Sequence, residues 1–375
     1  MLSLLIFIPS LGVGGAERVF VKVANGLAIR GHRVRMVVTS AEGASRKHLN
    51  DNVELIDLKC SGVLEALWHL LQILRHDPPN ILISAMTHTN FVAIASARLA
   101  RQSIFVIVSE RTSLALPPAR MADWLARFLI PLVYRFSDAI VVPAQKMLEM
   151  LVKYTKMKRT RFFVVSNPVT IPSSGHHPKA PHPWATLSER KNHPLLVSIG
   201  RLVAEKDLSS LLGAFFYAAE RTAFRLAIIG DGPERKMIEE RVAASKHRSR
   251  ILLFGQSDFP EAWYANADLF VLSSKYEGMP NVLLEAMSWN LPVVSTDCMT
   301  GPREILQGGK WGALVPVQDI DRLGKAIVDA LIAPMNVNTV ERALDFSEDA
   351  IIQHWEEIFR QKFPNFERTE QLDYA

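Results

Sequence analysis

Cysteine is nearly absent from this 375-residue chain: only Cys60 and Cys298 occur, one in each half. Two thiols so separated do not make a disulfide framework, and no cysteine–histidine cluster accompanies them. Long apolar runs are missing as well. Residues 128–134 form one of the longest, and Pro131 interrupts it. That is far short of the ~20 residues that cross a bilayer as a helix. There is no Walker-type phosphate loop, which disfavours a P-loop nucleotidase. Asp-x-Asp occurs once, as Asp319-Ile320-Asp321, at the opening of a predicted helix where capping and the helix dipole favour acids anyway. The expectation is an enzyme with no bound metal and no cofactor.

What is present is a globular composition, 49% hydrophobic and 22% charged. The length exceeds what one core supports, so two domains of about 150 to 190 residues are expected. The net charge of +5 is unevenly spread. Residues 1–170 hold 21 lysines and arginines against 11 acids, a net of +10, and the remainder holds 22 against 27, a net of −5. A basic half suits an anionic partner. No recognised nucleic-acid motif or stacking platform goes with the charge, so an anionic membrane is expected and nucleic acid is not. Two segments concentrate the signal. Residues 120–129 combine Arg120 and Arg127 with Trp124, Leu125 and Phe128, and residues 153–162 carry five cations in ten positions. The chain opens directly on strand-like residues 2–8, taken as a core strand and not a signal peptide. The expected location is cytoplasmic, peripheral at the inner face of the cell membrane.

Strand-like and helix-like segments alternate throughout, the pattern of parallel sheets with covering helices. In the first half, strands are predicted near 2–8, 33–39, 53–57, 80–85, 104–109, 138–142 and 162–165. The helices between them are 15–30, 63–76, 89–101, 119–136 and 144–154. Six prolines fall between Pro168 and Pro194 with little periodicity, so 171–193 is assigned as a linker. The second half restarts with strands at 195–199, 225–229, 251–254, 268–272, 292–295 and 313–315. Its helices are expected at 207–221, 234–246, 280–289, 319–333 and 348–361. The plan is α/β throughout, with two Rossmann-like domains, 1–170 and 194–345, facing each other across a cleft. Residues 346–375 form a C-terminal helix and tail that can pack back on the first domain.

The most informative segment follows the apolar strand 268–272. Glu277 lies in a loop at the strand's carboxyl end, and Glu285 lies about a turn and a half into the next helix. Both carboxylates can face the crevice where open α/β sheets bind ligands. Each accepts two hydroxyls, as sugar and ribose diols require. Met279, Pro280, Asn281 and Val282 open that helix, with Pro280 suited to its first position, and the amides there add donors. Arg201 and Lys206 flank the turn after strand 195–199, where their cationic heads can converge on a diphosphate. The first strand ends in Gly12-Val13-Gly14-Gly15, a turn that lets backbone amides approach a phosphate. Its spacing is not that of a dinucleotide site, and Val37-Val38-Thr39-Ser40 offers no ribose-binding acid. His88 sits past the strand 80–85. Glu110 and Arg111 follow the strand 104–109, placed either to bind acceptor hydroxyls and an acceptor phosphate or to pair with each other.

In order and spacing, over nearly the whole chain, these motifs resemble the retaining, metal-independent glycosyltransferases of family 4, which have the two-domain GT-B fold. The resemblance implies that Arg201 and Lys206 neutralise the donor diphosphate, Glu277 and His88 hold the transferred sugar, and Glu285 grips the nucleotide ribose. It implies further that Gly14, Gly15 and Gly301 approach the donor or acceptor. Many members read Glu-Gly-Phe-Gly where this chain has Glu277-Gly278-Met279-Pro280-Asn281. With Gly14-Gly15-Ala16-Glu17-Arg18, the sequence is similar to the bacterial branch that builds surface polysaccharides and lipid-linked oligosaccharides. The implied reaction moves a hexose or N-acetylhexosamine from a nucleotide diphosphate donor, UDP-linked, to a saccharide or polyprenyl-linked acceptor. A sugar epimerase would share the fold but lacks this glycine turn and the Arg-x4-Lys pair.

Overall fold

A computed structural model of the chain describes residues 1–364 apart from 13, 115, 116, 118, 119 and 174, and apart from the side chain of 187. The chain divides into two compact units, one of Met1–Pro168 with everything from Glu348 onward, the other of Val169–Ser347. Residue 119, at the start of one expected helix, and the tail from 365 lie outside the described residues.

In the first unit, β1 (Ser3–Ser10), β2 (Arg33–Ser40), β3 (Val53–Asp57), β4 (Ile81–Ala85), β5 (Phe105–Ser109), β6 (Ala139–Val142) and β7 (Phe162–Val164) form one sheet in the order β3-β2-β1-β4-β5-β6-β7. Every pairing is parallel. The helices are α1 (Gly15–Ile29), α2 (Val63–His76), α3 (Thr87–Ala100), α4 (Met121–Val133) and α5 (Gln145–Thr155). Side chains alternate across a strand, so β1 supplies both cores. Leu4, Ile6 and Ile8 join the cluster that holds α1, and Leu5 and Phe7 join the one under α2, α3, α4 and α5. Both faces being covered explains why these strands are continuous apolar runs.

The second unit repeats the plan with β8 (Leu195–Ile199), β9 (Arg225–Ile229), β10 (Ile251–Gly255), β11 (Leu269–Leu272), β12 (Val293–Thr296) and β13 (Ala313–Val315), in the order β10-β9-β8-β11-β12-β13. Its helices are α6 (Leu187–Asn192), α7 (Leu208–Ala219), α8 (Arg235–Ala243), α9 (Pro260–Ala265), α10 (Asn281–Ser288), α11 (Pro302–Ile305), α12 (Ile320–Ile332) and α13 (Thr339–Leu344). The proline-rich stretch expected as a linker folds with this unit. Ala185 is fully buried in its core, and α6 is tied down by Arg190 to Asp268 at 2.8 Å and Glu189 to Arg225 at 2.7 Å. Prolines removed the periodicity that would have announced this packing, without removing the packing itself.

The last helix, α14 (Glu348–Lys362), returns to the first unit. It lies so close to α1 that a Cβ on Gly26 would stand 2.5 Å from Ile352 Cγ1. Trp355 meets Phe20 edge-on at 6.1 Å. Glu356, 1% exposed, accepts from Arg30 at 2.7 Å and lies 3.3 Å from His32. Burial opposes the ionisation of Glu356, but the His32 and Arg30 contacts outweigh it and hold its pKa below the ordinary carboxylate value. α4 contains Pro131, which cannot donate to the carbonyl of Arg127; the Tyr154 hydroxyl fills that place at 3.0 Å.

Candidate functional site

In each sheet the strand order reverses direction from a central pair, β1 with β4 in one and β8 with β11 in the other. Loops leaving such a pair diverge and open a crevice at the strands' carboxyl ends. The candidate residues of each unit gather there.

In the second unit three loops are stitched together. The Lys206 ammonium, after β8, lies 2.6 Å from Glu277 Oε1, after β11. The Ser274 hydroxyl donates to the same oxygen at 2.7 Å. Ser273 Oγ donates to the carbonyl of Lys206 at 2.7 Å, and the Lys275 amide to the carbonyl of Glu205 at 2.8 Å. From the third loop, after β12, Thr300 donates to the carbonyl of Glu277. Gly301 has a φ of 95°, and a Cβ there would fall 2.5 Å from Pro280 Cδ, so only glycine allows the close approach. Glu277 Oε2 meets no protein donor among the described residues, and Lys206 has two further N–H groups. Arg201 is exposed beside them, and Gly200, Arg201, Lys206, Ser273 and Ser274 line one small pocket. Buried Cys298 nearby has its thiol pushed up to about 12, by burial first and then by Glu277, so it stays protonated.

Helix α10 begins at Asn281, with Pro280 as its N-cap and not its first helical residue. This one-residue shift lies within the usual uncertainty of helix ends. Met279 and Pro280 are buried, and Asn281 and Val282 are partly exposed. Glu285 receives a hydrogen bond at 2.9 Å from Tyr264 on α9. That bond occupies Oε2; Oε1 has no partner among the described residues. Asp207 holds the N-cap position of α7, and its carboxylate takes the Ser210 hydroxyl at 2.7 Å and pairs with Lys275 at 3.4 Å.

In the first unit, Gly14 is the N-cap of α1, Gly15 its first residue, and the Glu17 carboxylate folds back over Gly14. The turn is pinned by the Ser45 hydroxyl on the Gly12 carbonyl at 2.5 Å. His88 occupies the first turn of α3, exposed, with Nε2 3.6 Å from Asp123. Met86, just before that helix, holds a left-handed φ of 74°, a conformation that costs a non-glycine residue about 1–3 kcal/mol and collects at functional sites.

Glu110 does not face solvent as an acceptor ligand would, and it forms no side-chain ion pair with Arg111. It is buried, and four protein donors take its carboxylate: Tyr134 at 2.6 Å, Thr87 at 2.9 Å, and the Arg111 and Thr112 amides at 3.1 Å each. Burial still raises its pKa against those donors. Tyr134 is held in turn by Asn90 at 2.8 Å, and burial keeps its phenol neutral. Arg111 turns instead to Asn167, with Nη1 to Oδ1 at 2.6 Å, and its Cζ lies over the Phe20 ring, 5.0 Å from the centroid. Tyr134, Thr87, Asn90, Asn167, Ser274 and Tyr264 are the site residues that sequence reasoning missed. None stands in a motif; Ser274 is a loop neighbour of Glu277, and the tertiary fold brings the others together.

Among the described residues, no group of three or more histidines, cysteines or acids is placed to hold a metal ion. Asp319 caps α12 by accepting from the Arg322 amide at 3.0 Å.

Residues 13–171 match the family model described as Glycosyltransferase Family 4, and residues 193–332 match the one described as Glycosyl transferases group 1. The amylovoran biosynthesis glycosyltransferase AmsD of Erwinia amylovora is 24% identical over 96% of this chain and 99% of its own length. An N-acetylgalactosaminyltransferase of Campylobacter jejuni, whose name specifies a diphospho-undecaprenol acceptor, is 26% identical over 85% of this chain and 87% of its own. HepE of Anabaena, solved with UDP, superposes with a TM-score of 0.75 at 17% identity over 96% of this chain and 100% of its own. The chain is a family 4 glycosyltransferase with the two-domain GT-B architecture.

Proposed function

We propose that this enzyme transfers a hexose or N-acetylhexosamine, with retention and without a metal ion, from a UDP-linked donor to a saccharide or polyprenyl-linked acceptor in the assembly of bacterial cell-surface polysaccharide, lipopolysaccharide or glycan. The contact that carries the reading is Lys206 to Glu277 at 2.6 Å. It joins a phosphate-neutralising cation to a sugar-binding carboxylate at the carboxyl ends of β8 and β11. Lys206 and exposed Arg201 stabilise the charge that develops on the departing diphosphate, as preorganised donors do elsewhere. Glu277 presents Oε2 to sugar hydroxyls, with His88 orienting the sugar and Glu285 Oε1 gripping the ribose. A double displacement needs a carboxylate beneath the anomeric carbon; Glu277 is assigned instead to the sugar hydroxyls, with its Oε1 held by Lys206 and Ser274. As the family resemblance implies, the reading is front-face substitution, in which the leaving phosphate takes the proton of the incoming acceptor hydroxyl. A screen of nucleotide sugars for donor hydrolysis, with and without lipid extract as acceptor, tests it. Turnover of none of them by folded protein sinks the proposal.

The acceptor's setting is an anionic membrane surface on the first unit. Trp124 and Phe128 are 58% and 59% exposed and stack in parallel, and Met121, Leu125 and Leu132 continue the same face of α4. These positions recur at helical spacing, so a whole apolar stripe faces outward where an amphipathic helix would enter the headgroup boundary. Among the described residues no helix is long and apolar enough to cross a membrane. Lys153, Lys156, Lys158 and Arg159 supply the adjoining charge, at about 1 kcal/mol per cation near an anionic leaflet. Sedimentation should need anionic vesicles, weaken with salt, and fall when those four become glutamine. Equal recovery on neutral vesicles, or retention on RNA in place of vesicles, would remove the membrane from the account.

A further inference from the structure

The Arg111 guanidinium is built for more than its two protein contacts. Nη1 is satisfied by Asn167, and the guanidinium carbon lies over the Phe20 ring at 5.0 Å. Nε and Nη2 are withdrawn from solvent and have no hydrogen-bond partner among the described residues. These two N–H groups lie on one edge of the guanidinium and point in parallel, the arrangement that grips two oxygens of one phosphate or carboxylate. Buried donors are nearly always satisfied in folded proteins, and leaving two unmet on a charged group is costly. The adjacent acid attracts the Arg111 charge but gives its side chain no hydrogen bond. The four donors on Glu110 include the Arg111 backbone amide but not the Arg111 side chain. Burial lowers the Arg111 pKa to about 9, which leaves it charged at neutral pH.

Three elements aim the group. Arg111 follows β5, Asn167 follows β7, and Phe20 lies in the second turn of α1, behind the glycine turn. A cation needed only for its charge would not require a side-chain amide on one nitrogen and an aromatic ring against its guanidinium carbon. We propose that the Nε/Nη2 edge of Arg111 is an oxyanion site on the first unit that takes a phosphate of a phosphorylated acceptor, separate from the Arg201–Lys206 pair that meets the donor. The name of the ligand rests on the acceptor reading above; the oxyanion site does not.

The test follows the arginine Nε–Hε signals by NMR in the full chain carrying Arg201→Ala and Lys206→Ala, which removes the donor's cations. The Arg111 signal is identified by its loss in Arg111→Lys. Should that variant not fold, Asn167→Ala identifies the signal by its shift. Inorganic pyrophosphate, farnesyl diphosphate and UDP are titrated in turn. A saturable shift with the first two is expected, and pyrophosphate should bind Arg111→Lys about tenfold more weakly or worse, because a lysine keeps the charge and loses the fork. An Arg111 signal that ignores both ligands in folded protein means an ordered water only, and one that moves for UDP alone means a donor contact. Either overturns the proposal. If Arg111 responds while the wild-type chain turns over no nucleotide sugar, the oxyanion site stands and the transferase reading falls.

Discussion

Removing the Lys206 ammonium is the perturbation whose consequence follows most directly from the geometry. The ammonium lies 2.6 Å from Glu277 Oε1, with side-chain exposures of 21% and 11%. At an effective dielectric of about 20 the gross attraction over such a distance is about 6 kcal/mol. Desolvation and screening cancel much of that, so the net cost of Lys206→Ala to stability is put at about 1–3 kcal/mol. That is survivable for a domain with about 5–15 kcal/mol in hand. Catalysis should suffer more. Lys206→Ala removes a preorganised donor to the leaving diphosphate, worth about 2–4 kcal/mol or roughly 30- to 1000-fold in kcat. It also leaves the Glu277 charge facing the phosphates without its partner. Donor hydrolysis at saturating nucleotide sugar, with thermal unfolding measured in parallel, separates the two effects. A Lys206→Ala, Glu277→Ala double variant completes the cycle. If the pair were only a structural clamp, the double variant would regain most of the activity that Lys206→Ala loses. Near-normal turnover of folded Lys206→Ala would refute the assignment of Lys206 to the diphosphate.

The two glutamates should fail differently: Glu277→Ala lowers kcat, whereas Glu285→Ala chiefly raises the donor KM because the ribose is remote from the reacting bond. Equal effects confined to KM would undo that division. Tyr264→Phe removes the hydroxyl that orients Glu285 and should raise the donor KM about 2- to 10-fold with kcat held; a kcat loss of the same size would place Tyr264 elsewhere in the mechanism. Activity should survive EDTA, and complete loss restored by magnesium or manganese would contradict the role given to Arg201 and Lys206. The pKa of Glu356 is depressed in the folded protein, so its contribution to stability is present above the unfolded value near 4.5 and is lost as pH falls through the folded one. Melting temperature should accordingly drop more steeply below about pH 4.5 in the wild type than in Glu356→Gln, and parallel acid profiles would mean that α14 is held by apolar packing alone.

Much of this was legible in the sequence because periodicity and strand-end loops are local signals. Apolar runs such as 225–229 and the loop carrying Glu277 fall where their pattern places them, since a strand buried on both faces can hardly be anything else. The segment 171–193 was not legible: its prolines mask the helix α6 and the buried Ala185. Nor was the fate of Glu110. Sequence puts Glu110 beside Arg111 but cannot show that Tyr134 and Thr87, 24 and 23 residues away, will satisfy the acid and leave the guanidinium to Asn167. Trp124 and Phe128 show the same limit from the other side. Their spacing fits either a core face or an outward one, and only the fold turns that stripe to the surface.

The most direct test of the central claim is the anomeric configuration of the sugar released when the enzyme hydrolyses its preferred nucleotide donor, read by proton NMR before mutarotation equilibrates it. Retention predicts that an α-linked UDP-sugar gives the α-anomer first, from wild-type protein in EDTA, with the signal suppressed in Lys206→Ala. First appearance of the β-anomer would contradict the account.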